Sequence, residues 1–160
     1  MSPSPSIRAM TKQDKPPVME ILANTPEFTP QEIVVAEEVC DSYLQDPIGS
    51  GYHAFVSEIG TSVVGYVCFG PTPLTQGTWD IYWIVVAPGH QGRGIGGALL
   101  DFAESRIRET GRMSLIETSS KVDYERQRRF YLSHGYELVC RVPDFYTPGD
   151  DKLILWKRFS

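Results

Sequence analysis

The chain has 160 residues, of which 41% are hydrophobic and 22% charged, and its formal net charge is −5. This length and composition predict one globular domain over residues 1–160. The acidic charge argues against nucleic acid as a partner, and no apolar run reaches the roughly 18 residues of a membrane span. The N-terminus has no apolar signal segment and the three cysteines are widely spaced, so we expect a cytoplasmic protein without a metal or membrane attachment.

Hydrophobic periodicity and turn residues predict a mixed α/β chain with the element order β-α-α-β-β-β-α-β-α-β-β. The expected strands cover residues 7–10, 53–59, 62–70, 78–86, 112–118, 136–142 and 152–157, and the expected helices begin near residues 14, 30, 95 and 124. Residues 143–151 are expected to form a loop.

Three local signals refine this pattern. Thr29 and Glu32 have the spacing of a capping box at the start of the second helix. Gly65 lies inside a strand and indicates a bulge or a close backbone approach. In the third helix, Glu104 and Arg108 are expected to form an ion pair on the exposed face.

A glycine-rich segment, V-V-A-P-G-H-Q-G-R-G-I-G-G-A-L-L at residues 85–100, joins the longest predicted strand to the third helix. Glycines let backbone N–H groups approach a ligand closely, and a helix N-terminus presents further unpaired N–H groups. The segment therefore predicts a site for a phosphate or pyrophosphate group.

Two known glycine patterns are less suitable interpretations of this segment, one because of its residues and the other because of its context. Gly89 and Gly94 have the P-loop spacing, but Ile95 and Gly96 stand where that loop needs Lys and Ser or Thr. Gly92, Gly94 and Gly97 satisfy the dinucleotide pattern G-x-G-x-x-G, with Glu117 about 20 residues on. Only 63 residues follow Gly97, too few for a complete nicotinamide-binding domain, so an oxidoreductase is a minor alternative.

A third interpretation fits better. Gln91–Gly96, following V-V-A-P, resembles the Q/R-x-x-G-x-G/A signature of the GNAT superfamily of acetyl-CoA-dependent N-acetyltransferases. Arg129–Tyr136 (R-F-Y-L-S-H-G-Y) is similar to the same family's helix ending F-Y-x-x-x-G-F/Y. The resemblance implies a GNAT-like α/β (α+β) fold, with a mixed, mostly antiparallel sheet of about seven strands and about four flanking helices.

The resemblance also implies roles for individual residues in binding acetyl-CoA, the expected co-substrate. The residues expected to contact it are Val85, Val86, Gln91, Gly92, Arg93, Gly94, Ile95, Gly96, Gly97, Ala98 and Tyr124. Tyr124 stands where many members carry Asn. Tyr131 matches the tyrosine that donates a proton to the leaving thiolate.

Asp80 is the expected catalytic base, because a carboxylate in an otherwise apolar and aromatic strand must be paired or functional. It precedes Gln91 by 11 residues, where several members place a catalytic glutamate. Glu117 is the reserve base. The residues expected to contact the acceptor are Phe28, Tyr82, Trp83, Glu117 and Tyr146.

These features predict transfer of an acetyl group to a primary amine, directly within a ternary complex. A small-molecule amine is the favoured acceptor. A protein or peptide N-acetyltransferase and a catalytically silent acyl-CoA-binding module remain alternatives, and a homodimer is left open.

Overall fold

The computed structural model describes residues 4–159. The strands are β1 Ser6–Ala9, β2 His53–Ile59, β3 Ser62–Pro71, β4 Thr78–Val86, β5 Met113–Ser119, β6 Glu137–Thr147 and β7 Asp150–Arg158. The helices are α1 Lys15–Ala23, α2 Pro30–Gln45, α3 Ile95–Ile107 and α4 Glu125–Ser133. This is the predicted element order, and β4 has the predicted bounds.

The strands form a seven-stranded sheet in the order β1-β2-β3-β4-β5-β7-β6. The pairs β1–β2, β2–β3, β5–β7 and β6–β7 are antiparallel, whereas β4 and β5 run parallel. The parallel ladder joins Thr78–Asp80 to Met113–Leu115. The predicted mixed, mostly antiparallel sheet with four helices is thus confirmed.

The chain divides into two compact units. The first contains the chain up to Gly70 together with Trp83–Ser105, and the second contains Pro71–Tyr82 together with the chain from Arg106 onward. The single domain expected over residues 1–160 remains a prediction.

The first unit has its core between the first two helices and strands β2 and β3. Buried residues of this core are Met10, Val18, Ile21, Leu22, Ala36, Val39, Cys40, Ala54, Val56, Tyr66, Cys68 and Val85. The start of α2 has the expected cap, because the Thr29 hydroxyl accepts a hydrogen bond from the Glu32 N–H at 3.2 Å.

Gly65 positions the beginning of α3 against β3. A Cβ at this glycine would lie 2.9 Å from Leu99 Cδ1 and 3.2 Å from Ile95 Cγ2, closer than van der Waals contact allows. The β2–β3 register also shifts beside it, so that Ser57 pairs with Gly65 but Glu58 pairs with Val63. The expected bulge is confirmed, and the close approach to this glycine is made by side chains of α3.

The polar face predicted for α3 is wrong at one position. Glu104 is buried, with Leu100, Ala103 and Ile107, whereas Ala98 is exposed. The spacing of these four residues is that of one helix face, so the apolar stripe is rotated from the predicted one. Arg108 instead lies over the Phe159 ring, 4.7 Å from its centroid.

The second unit ends in a hairpin that is longer than predicted. The predicted loop at residues 143–151 is mostly strand, and the turn is reduced to Pro148 and Gly149. Between Val142 and Thr147 the register slips, so that four residues of β6 face one residue of β7. Asp144 lies in this bulge with φ +55°, and its carboxylate accepts a hydrogen bond from the Gly149 N–H at 2.8 Å, which ties the bulge to the turn.

We expect Gly65→Ala to destabilise the protein by about 1–3 kcal/mol, because the added methyl overpacks the contact with α3. Thermal and urea unfolding measure the change. Gly89→Ala is the matched control, since a Cβ there meets nothing within 4 Å. Equal stability of the two variants would contradict the close approach.

Candidate functional site

The glycine-rich segment of the first unit forms the turn that connects β4 to α3. β4 ends at Val86, and a single 3-10 turn follows at Pro88–His90. Gly92 and Gly94 then take φ values of +77° and +81°, in the left-handed region that favours glycine. These two residues reverse the chain so that α3 can begin at Ile95.

The turn leaves backbone donors outside the hydrogen-bond ladder of α3. The first hydrogen bond of α3 runs from the Ala98 N–H to the Gly94 carbonyl at 3.0 Å, so the N–H groups of Ile95, Gly96 and Gly97 precede the intrahelical ladder. A Cβ at Gly92 or Gly94 would meet nothing within 4 Å. Such a cradle of donors at the positive end of a helix has the chemistry to bind a phosphate or pyrophosphate.

The side chains around the turn have different environments. Gln91 donates a hydrogen bond from Nε2 to the Val86 carbonyl oxygen at 3.2 Å and thereby ties the turn to the strand end. Arg93 is exposed. Val85 is buried in the core, so only its backbone is available for a ligand.

Asp80 lies in the second unit with its carboxylate half-buried. Its neighbours Trp79 and Ile81 are buried, while Asp80 alternates with them along β4. The Thr72 hydroxyl donates a hydrogen bond to Asp80 Oδ2 at 2.6 Å.

Four influences act on the pKa of Asp80. Burial is the largest and raises this pKa above its ordinary value, and the negative charge of Glu117 raises it as well. The hydrogen bond from Thr72 and the positive charge of Lys152 lower it. The net effect is a raised pKa, which makes the carboxylate a stronger base than an exposed aspartate.

Glu117 and Lys152 form an ion pair beside Asp80. Lys152 Nζ lies 3.1 Å from Glu117 Oε2 and 4.5 Å from the centroid of the Phe145 ring. The structure therefore groups both predicted carboxylates, Asp80 and Glu117, with a lysine that the sequence did not single out. Lys152 could not be identified from the sequence, because its contacts reach across β5, β7 and the bulge of β6.

Tyr131 is buried on α4, where its ring contacts those of Phe130 and Tyr136. Its hydroxyl has no hydrogen-bond partner within residues 4–159, and burial raises its pKa above the ordinary value. The phenol therefore stays protonated at neutral pH and can act as a hydrogen-bond or proton donor.

The connection between β5 and α4 is held by hydrogen bonds from Arg128 of α4. Arg128 Nη1 donates hydrogen bonds to the carbonyl oxygens of Ser119 and Lys121, both at 2.7 Å. Tyr124 occupies the N-cap position of α4, directly after this connection.

The aromatic residues predicted to contact the acceptor are divided between the two units. Phe28 and Trp83 pack against the core of the first unit. Tyr82 and Tyr146 are exposed in the second unit.

The chain matches the model of the acetyltransferase (GNAT) domain over residues 50–138, and it therefore belongs to the GNAT acetyltransferase family. An uncharacterised N-acetyltransferase from Methanocaldococcus jannaschii is 30% identical over 104 residues. This match spans 65% of the present chain and 65% of the length of that relative.

Solved structures agree with this assignment. A structure from Desulfovibrio desulfuricans, assigned to the GNAT acetyltransferases, superposes with a TM-score of 0.93 at 38% identity, over 97% of this chain and 99% of that chain. The PaiA N-acetyltransferase of Thermoplasma acidophilum, in complex with coenzyme A, superposes with a TM-score of 0.76 at 15% identity, over 98% and 99% of the two chains. The second likeness is one of fold alone.

Residues 4–159 hold neither a membrane-spanning helix nor a cluster of metal-ligating side chains. No helix in this range is long and apolar enough to cross a membrane. No group of three or more His, Cys, Asp or Glu side chains in the same range could hold a metal ion.

We expect Thr72→Val to raise the pKa of Asp80 further, because the variant removes the hydrogen bond that stabilises the carboxylate. Titration of the Asp80 carboxyl carbon by NMR measures the midpoint. Thr75→Val is the control, since the Thr75 hydroxyl bonds the backbone carbonyls of Thr72 and Thr78 and not Asp80. A midpoint that stays the same or falls in Thr72→Val would contradict the assigned hydrogen bond.

Proposed function

We propose that this protein transfers an acetyl group from acetyl-CoA to a primary amine, by direct attack within a ternary complex. The observation that carries this proposal is the turn at Gly92 and Gly94, which leaves the N–H groups at the start of α3 open. A cytoplasmic location is part of the proposal, because all three cysteines are unpaired, as is usual in a reducing compartment.

The first unit binds the pyrophosphate of acetyl-CoA in this proposal. The residues of the turn, Gln91 to Gly96, surround it mainly through backbone N–H groups, followed by Gly97 and Ala98. Arg93 adds a charge-assisted hydrogen bond to a phosphate oxygen. The backbone of Val85 and Val86 contacts the pantetheine arm, and Tyr124 supplies a hydroxyl where many members have an amide.

Asp80 acts as the base. An amine nitrogen attacks the thioester carbonyl only when it is neutral, so its proton must pass to a base, directly or through water. The raised pKa of Asp80 supports this role, because it brings the carboxylate closer to the range in which it accepts a proton at neutral pH. Glu117 forms an ion pair with Lys152, which favours Asp80 over Glu117 as the base.

Tyr131 acts as the acid. As the nitrogen–carbon bond forms and the carbon–sulfur bond breaks, the sulfur leaves as a thiolate that needs a proton. The Tyr131 hydroxyl keeps its proton and has no competing hydrogen-bond partner, so it is available to hydrogen-bond the sulfur and to give up the proton as negative charge develops there. The balanced products are an amide and the free thiol of coenzyme A.

The acceptor proposed is a small cationic amine. Asp80 and Glu117 carry two negative charges against the one positive charge of Lys152, so the cluster attracts an ammonium group. Exposed Tyr82 and Tyr146 offer aromatic surface for the rest of the acceptor. A protein N-terminus carries the same ammonium and remains the second candidate.

We expect Asp80→Asn to lower the rate of acetyl transfer roughly 10²–10⁴-fold, the usual contribution of a general base. Release of the coenzyme A thiol, in a screen of small amines and peptides, measures the rate. Glu117→Gln is the comparison: a large loss there with a loss below threefold in Asp80→Asn would make Glu117 the base. Binding of acetyl-CoA without any thiol release would favour the silent acyl-CoA module.

We expect Tyr131→Phe to lower kcat with little change in the affinity for acetyl-CoA, because the variant removes the proton donor and keeps the ring. Steady-state kinetics and calorimetric binding separate the two quantities. Phe130→Leu on the same helix controls for altered packing. Unchanged kcat in Tyr131→Phe would remove this residue from the mechanism.

A further inference from the structure

Strand β6 offers an open edge in the second unit. It is the last strand of the sheet, and its ladder partner is β7. All eleven of its residues are exposed. An edge strand of this kind presents a row of backbone N–H and C=O groups that can pair with another strand.

The first half of this edge is largely apolar, and its two charged residues, Glu137 and Arg141, are of opposite sign. Leu138 and Val139 are 50% and 47% exposed, and Val142 and the preceding helical residue Leu132 are exposed as well. Six of the twelve large hydrophobic residues exposed within residues 4–159 fall between positions 132 and 146, which marks this segment as an interaction surface. Pro143 and the bulge at Asp144 interrupt β6 only after Val142.

A small bulge at Val139 does not protect the edge either. The β6–β7 register shifts between Leu138 and Cys140, which leaves Val139 as the extra residue. Bulges discourage edge pairing when they turn a strand away or carry a charge. Here the extra residue is an exposed valine, so it adds apolar surface.

The sequence of this half-strand, E-L-V-C-R-V at residues 137–142, is self-complementary in an antiparallel arrangement. A twofold axis at Val139 places Glu137 of one copy opposite Arg141 of the other, and Leu138 opposite Cys140. Both pairings occur twice, as in any isologous interface. Arg141 bonds Asp151 within its own chain but remains half-exposed, so it can also meet a second carboxylate.

We propose that two copies of this chain form a homodimer by antiparallel pairing of their β6 edges about an axis at Val139. This β6 edge surface consists of Leu132 and residues 137–142. The dimer does not depend on the proposed function. Six strand residues span about 20 Å, so the interface is small and the dimer dissociates on dilution.

Sedimentation equilibrium over a range of protein concentrations tests the proposal. We expect wild type to pass from monomer to dimer, and Val139→Asp to raise the dissociation constant at least about tenfold, because it places a carboxylate in an apolar interface. Val34→Asp is the matched control, since Val34 is a similarly exposed valine of α2. A wild-type monomer at every concentration, or a dimer that Val139→Asp leaves intact, would overturn the proposal.

Cys140 provides a second measurement, the cross-linking of the wild-type protein. It is exposed, whereas Cys40 and Cys68 are buried. In the proposed register the two Cys140 residues are diagonal neighbours about 7–8 Å apart, within reach of a short bismaleimide. We expect a cross-linked dimer in wild type and none in Cys140→Ser; a dimer in solution that fails to cross-link would place the interface elsewhere.

Discussion

The start of α3 depends on three glycines, two in the turn that precedes it and one in the distant strand β3. Gly92 and Gly94 supply the left-handed backbone of the turn that connects β4 to the helix. Gly65 lets the first turn of the helix approach β3. The first two leave the N–H groups unpaired, and the third determines where those groups lie. An L-side chain at any of them is strained or overpacked, so this geometry and the donors it exposes arise together.

Burial has opposite chemical consequences for the two proposed catalytic groups, although it raises the pKa of both. For Asp80 a raised pKa means a stronger base, moderated by the Thr72 hydroxyl and by Lys152. For Tyr131 it means a phenol that keeps its proton. One physical effect, removal from water, thus makes Asp80 a stronger proton acceptor and Tyr131 a weaker acid.

Local patterns predicted most of the fold. The bounds of β4, the cap at Thr29 and the function of Gly65 follow from short-range signals, and the structure confirms them. Local patterns did not predict the hairpin at residues 143–151, because it depends on cross-strand hydrogen bonds. They did not predict the burial of Glu104 either, because it depends on a small rotation of the helix face. Lys152 was missed for the same reason: its partners, Glu117 and Phe145, are distant in sequence. The assignments to Asp80, Tyr131 and the acetyl-CoA contacts stay predictions.

Thermal unfolding with acetyl-CoA, coenzyme A, NAD and ATP in parallel tests the central claim most directly, because it requires no knowledge of the acceptor. A ligand at about 100 times its dissociation constant stabilises the folded state by roughly 2.7 kcal/mol, which raises Tm by several degrees in a chain of this size. The account predicts such a rise with both coenzyme A compounds and none with NAD. A rise with NAD and none with coenzyme A would contradict it, since the glycine turn would then bind a different cofactor.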